Sequence, residues 1–110
     1  RVISGSDFPV ESEKPMWGIY SAVTRQTHLQ NPRGGWQPKE RMSVNEALQS
    51  FTTEASFARF MESEKGMIKE GMLSDMTILD RDIRGISLEE ILSAEVLATI
   101  VNGELVYQSF

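Results

Sequence analysis

One carboxylate in this chain stands where catalysis would use it. In Gly5-Ser6-Asp7-Phe8-Pro9-Val10-Glu11, the apolar pair Val2 and Ile3 runs into a Gly-Ser turn that delivers Asp7. If Val2 and Ile3 are the tail of a buried parallel strand, Asp7 lies at that strand's C-terminal end, the face on which (β/α) barrels carry their chemistry. Pro9 lacks a backbone donor and stops the strand from continuing. The same Gly-Ser-Asp pattern also occurs in ordinary turns, where the Asp caps a backbone N–H. Glu11 and Glu13 offer further carboxylates nearby, but acids at the entry to a helix are usually solvated and favoured by its dipole, so they stay outside the candidate site. His28 is the only histidine and falls on a loop, where a solvated side chain is expected. Trp17, Tyr20 and Trp36 could wall a substrate pocket or pack against neighbouring elements. Arg25 could anchor a carboxylate substrate or pair with an acidic neighbour, and a structural role is expected for it.

The elements that position these residues follow from spacing. Trp17, Ile19, Tyr20, Ala22 and Val23 form an apolar helical face within residues 17–27, before the Pro- and Gly-containing loop His28–Pro38 interrupts. Ser43-Val44-Asn45-Glu46 has the form of a capping box, so a helix starts there. Val44, Ala47, Leu48, Phe51, Ala55 and Ala58 make its buried stripe, and Thr52-Thr53 divides it into two shorter helices. Beyond Glu64 the period becomes extended. Gly66-Met67-Ile68 is a short strand candidate and Met76–Leu79 a second, bounded by Asp75 and Asp80. Ser87 with Glu90 caps one or two helical turns. Val96–Val101, Asn102-Gly103 and Glu104–Tyr107 form a hairpin, because Asn-Gly supplies both positive-φ positions of a type I′ turn. Its first arm is apolar on both faces, which implies cover on both sides or a place deep in a sheet.

Composition bounds the reading. The chain has 110 residues, enough for one modest domain, whereas an enzyme barrel takes about 250. It begins with Arg1 rather than Met and closes on Tyr107-Gln108-Ser109-Phe110, which reads as a natural tail, so a C-terminal piece of a larger protein is expected. The net charge of −5 and the absence of a dense Lys/Arg cluster argue against a nucleic-acid partner. No apolar run approaches the roughly 20 residues that span a bilayer. Zero cysteines exclude disulfides and thiolate metal sites and fit a reducing compartment, so a cytoplasmic location is expected.

Taken in order, the motifs resemble the C-terminal end of the amidohydrolase superfamily, within it the metal-dependent hydrolases of amidohydrolase family 3, the YtcJ-like proteins. The resemblance is carried by Gly5–Glu11, by Tyr20-Ser21-Ala22-Val23-Thr24-Arg25 and by Gly34-Gly35-Trp36-Gln37-Pro38. It continues through Glu64-Lys65-Gly66-Met67-Ile68 and Gly71–Asp80, departing where Glu70 replaces a usual Pro and Ser74 a usual Ala.

What this resemblance implies is an α/β fold. It is the last strand and helices of a metal-dependent (β/α)8 barrel over residues 1–63, followed by C-terminal strands of a small β-sandwich over residues 64–110, with the hairpin at 96–107. It implies hydrolysis of a small-molecule amide-type C–N bond by metal-activated water. Asp7 is then both a ligand of a divalent metal, most readily zinc, and the proton shuttle. The remaining ligands of the family fall upstream of Arg1, so the segment alone is expected to be inactive. An isolated piece of this kind exposes strand edges and apolar surface, and self-association is expected. The alternative class is a regulatory or interaction module that keeps the family's sequence without catalysis.

Overall fold

A computed structural model describes all 110 residues, Arg1–Phe110. Helix α1 (Pro15–Thr24) starts with proline in its first turn, where a missing N–H costs no intrahelical bond. It ends three residues before the expected Thr27. The Thr24 hydroxyl donates to the Tyr20 carbonyl (2.7 Å) and accepts from the Gln26 N–H (3.1 Å), while Arg25 turns left-handed at φ 60. These bonds satisfy the helix end and turn the chain away from the axis.

Helices α2 (Val44–Phe51) and α3 (Thr53–Ala58) follow, divided at Thr52 as expected. The capping box is formed. The Glu46 N–H donates to the Ser43 hydroxyl (3.3 Å) and the Ser43 N–H donates to the Glu46 carboxylate (2.8 Å). Gly18 lets α2 approach α1, because a Cβ there would sit 2.7 Å from Cζ of Phe51. Met16, Ile19, Tyr20 and Val23 of α1 and Ala47 of α2 are buried together with Ile83 and Ile91 of the C-terminal stretch, forming one apolar cluster.

Strands β1 (Met76–Leu79), β2 (Val96–Val101) and β3 (Glu104–Gln108) form an antiparallel sheet in that order. Met76 pairs with Ile100 and Thr77 with Thr99. The β2–β3 turn has Asn102 at φ 51 and Gly103 at φ 81, the conformation its sequence requires. Between β1 and β2, the Ser87 N–H and hydroxyl donate to the Glu90 carboxylate, but the turn that follows (Glu89–Ser93) has no side-chain cap and is 3₁₀, tighter than the α-helical turn expected, and it lays Ile91 fully buried against α1.

Two expectations are corrected. Val2 and Ile3 are not a buried strand. Each is 54% exposed, and the first tie of this segment to the rest of the backbone is Ser4 N–H donating to the Ser50 carbonyl (3.0 Å). A parallel strand exists only beside a partner strand, and none runs here. Gly66-Met67-Ile68 is likewise unpaired, with Met67 47% and Ile68 86% exposed. β2 is the central strand of the three, paired on both edges, which is the place inside a sheet expected of its apolar arm, although within it only Ala98 is buried and β3 is exposed throughout.

Four carboxylates are held below their ordinary range by hydrogen bonds. The Ser43 backbone N–H, then its hydroxyl, lowers Glu46, and the Ser87 hydroxyl, then its N–H, lowers Glu90. The Arg81 guanidinium lowers Asp80, and the Arg84 guanidinium lowers Asp82 from 3.8 to about 2. Each group binds its proton less tightly folded than unfolded. Their contribution is therefore present above the unfolded value and is lost as pH falls through the folded one. The urea midpoint is expected to drop between about pH 4 and about pH 2, and Arg84→Ala to make that drop shallower. An equally steep drop in the variant would show that the Asp82 pair contributes nothing.

Candidate functional site

Backbone geometry decides where Asp7 stands. After an extended start the chain turns over Asp7–Val10, the Val10 N–H donating to the Asp7 carbonyl (2.9 Å) and the Glu11 N–H to the Ser6 carbonyl (3.2 Å). Asp7 sits at φ 48, a region uncommon for side-chain-bearing residues that Asp tolerates better than most. The side chain is exposed and enters none of the four ion pairs of the chain. A carboxylate without an internal partner fits one position in the ligand shell of a divalent ion. No group of three or more His, Cys, Asp or Glu side chains is arranged to hold a metal. Catalytic zinc commonly takes about three protein ligands, so these residues supply one donor and not the shell.

Next to this turn a cleft of about 610 Å³ opens between the start of α1 and the loop that follows it. Gly5 and Ser6 form its rim beside Asp7, which does not itself line it. Of the three aromatic residues singled out from the sequence, Trp17 and Trp36 line the cleft. Tyr20 does not, being fully buried, with its hydroxyl donating to Gln26 Oε1 (2.9 Å). His28 is an exposed loop residue, as expected, but its ring lies flat on Trp17 with centroids 3.8 Å apart and planes 8° from parallel. No periodicity connects a residue in the first turn of a helix with one beyond its end, so this stack carries no sequence signal. Arg25 takes the structural role expected of it. Its Nε donates to the Trp36 carbonyl (3.2 Å) and its guanidinium lies 5.0 Å from the Trp36 ring centroid. The Lys14 ammonium lies 4.8 Å from the ring centroid of Trp17.

The far wall is a loop held by side chains. Gln26 Nε2 donates to the Gln30 and Pro32 carbonyls (3.0 Å each), and Arg41 donates to the Thr24 (3.2 Å) and Gly34 (2.7 Å) carbonyls. Trp36 N–H donates to the Arg25 carbonyl (2.8 Å), which folds the loop back onto the end of α1. Gly35 makes that approach possible. It sits at φ 80, and a Cβ on it would overlap the Thr24 carbonyl oxygen.

The sequence profile described as "Amidohydrolase family" matches residues 1–107. Among curated proteins, the chain is 32% identical over 104 residues to the YtcJ protein of Bacillus subtilis (strain 168), whose name places it with the amidohydrolases. That alignment covers 94% of this chain and 20% of the relative. It is 32% identical over 108 residues to the N-substituted formamide deformylase of Arthrobacter pascens, covering 98% of the chain and 19% of that enzyme. It is 35% identical over 103 residues to the Protein LONG AFTER FAR-RED 3 of Arabidopsis thaliana, covering 94% and 17% respectively. The chain thus spans about a fifth of the length of these relatives. No solved structure matches it. With a match running from the Asp7 turn through the hairpin, the chain belongs to the amidohydrolase family.

Proposed function

We propose that this chain is the C-terminal part of a metal-dependent amidohydrolase that cleaves the C–N bond of a small amide-type substrate. The observation that carries this reading is the family match across residues 1–107, which includes the turn presenting an unpaired Asp7 carboxylate. A divalent metal, zinc by resemblance, supplies when bound a Lewis acid that lowers the pKa of water toward neutrality. Asp7 contributes one ligand oxygen, accepts the proton of the attacking water on its carboxylate and passes it to the nitrogen of the leaving amine. Gly5 and Ser6 give the backbone its turn, and φ 48 at Asp7 sets the carboxylate beyond it. On this reading residues 1–63 finish a (β/α) barrel and residues 64–110 add strands to a β-sandwich.

The test compares the complete reading frame, expressed with zinc, against the 110-residue chain on a panel of N-acyl and N-formyl amines. Hydrolysis by the complete protein and none by the chain is the expected result. Turnover of no panel member by the complete, metal-loaded protein would overturn the reading.

We also propose that the 110-residue chain on its own pairs with a second copy of itself. Its accessible surface is 7844 Å², against about 6,100 Å² for a compact monomer of its 12.4 kDa mass. The difference of about 1,700 Å² exceeds the roughly 800 Å² per partner that a standard interface buries. β3 (Glu104–Gln108) is an edge strand without Lys or Pro to protect it, and it exposes Leu105, Val106 and Tyr107. A dimer mass by light scattering at high micromolar concentration is expected, and a monomer would reject self-pairing. No helix is long and apolar enough to cross a membrane.

A further inference from the structure

The cleft beside Asp7 lies in the one stretch of this acidic chain where cations dominate. Between residues 14 and 41 stand Lys14, Arg25, Arg33, Lys39 and Arg41 against Glu40 alone, although the chain as a whole carries −5. None of its four ion pairs falls in that stretch. Two of these cations, Lys14 and Arg25, line the cleft, where Glu11 is the only carboxylate. Each is laid over an indole, Lys14 at 4.8 Å from Trp17 and Arg25 at 5.0 Å from Trp36. An indole face steadies a cation without using its N–H donors, and a cation with no carboxylate partner keeps those donors free for an anion. Arg25 spends only Nε, on the Trp36 carbonyl, which leaves its terminal nitrogens unspent in the hydrogen-bond pattern. The cleft begins at Ser6, one residue before Asp7 and so about 4 Å from it along the backbone.

We propose that this cleft reads a carboxylate on the substituent of the amide substrate, with Lys14 and Arg25 as the recognising residues. The proposal rests on the reading of Asp7 as the hydrolytic centre, since it supposes that the scissile bond lies at Asp7 and the substituent extends past Ser6. Trp17 and Trp36 are platforms for the cations, and the His28 ring on Trp17 occupies an indole face that a flat substrate would otherwise use. The ligand is therefore distinguished by charge rather than by stacking.

The experiment measures binding of N-formylphenylalanine and of N-formylphenethylamine, which lacks only the carboxylate. It uses the complete, metal-loaded protein carrying Asp7→Asn, so that neither probe needs to be turned over. Calorimetry gives the affinities. The anionic probe is expected to bind at least about tenfold more tightly, the scale of a charge-assisted hydrogen bond. That preference should fall to about onefold in Lys14→Gln/Arg25→Gln and persist in Arg25→Lys. Lys14 makes no side-chain cap bond, so Lys14→Gln alone gives a variant whose fold is not at stake and should lose part of the preference. Equal affinities for the two probes, or a preference that survives loss of both cations, would overturn the proposal. The activity of Asp7→Asn itself reports separately on the hydrolytic reading. Wild-type hydrolysis there with charge preference intact would sink the Asp7 mechanism and leave the cleft standing.

Discussion

Asp7→Asn in the complete, zinc-loaded protein lowers kcat by at least about a hundredfold, the lower end of what a positioned proton-transfer group contributes. Asparagine keeps the size and the carbonyl oxygen of the side chain, and it tolerates φ 48 as well as Asp does, so the turn over residues 7–10 is preserved. What it loses is the ability to accept a proton at the second oxygen. The measurement pairs kcat with metal content on the same sample. Low activity at full metal occupancy assigns the loss to proton transfer, low activity with lost metal assigns it to ligation, and wild-type activity removes Asp7 from the mechanism. Glu13→Gln serves as the control. That residue is also an exposed carboxylate ahead of α1, and its neutralisation is expected to leave kcat near wild type.

Gly35→Ala destabilises the chain by about 3 kcal/mol or more, because it combines a left-handed backbone with overlap onto a carbonyl. Gly35 sits at φ 80 with its Cα against the end of α1, where a methyl group would meet the Thr24 carbonyl oxygen and the Arg25 side chain. Gly34 is the internal comparison. It has nearly the same φ, 82, and open space around the position of a Cβ, so Gly34→Ala is expected to cost only the left-handed conformation, about 1 kcal/mol. Urea midpoints measured at one protein concentration give both values. Similar losses for the two would show that the loop moves aside and that the close approach to α1 is not required. The large value for Gly35 also predicts a local effect. The loop that carries His28 and Trp36 detaches first, and the indole fluorescence of Trp36 shifts before the helices unfold.

Local signals were legible where a few neighbouring residues complete the physics. The Ser43–Glu46 box and the Asn102-Gly103 turn each bring their own hydrogen-bond partners or φ preferences, and each forms as read. The division at Thr52 was equally local. Strand status was not legible for Val2-Ile3 or Gly66–Ile68, because a strand is defined by a partner that sequence patterning does not supply. The length of α1 was misjudged for a related reason. Its termination depends on the Thr24 hydroxyl, which donates to the Tyr20 carbonyl and accepts from the Gln26 N–H, a closure that the spacing of apolar residues does not signal.

By itself, the amino-acid sequence determined the family, the caps, the hairpin turn and the identity of Asp7 as the carboxylate at a Gly-Ser turn, since each depends on residue type within a short window. Only the tertiary structure decided that Tyr20 belongs to the core while Trp17 and Trp36 face a cleft, that His28 lies on Trp17, and that Lys14 and Arg25 both line that cleft. These placements depend on how the loop after α1 folds back. That path is set by Gln26 and Arg41 donating to backbone carbonyls several residues or more away and by Gly35 leaving room for the Thr24 carbonyl, an arrangement that a linear pattern does not contain.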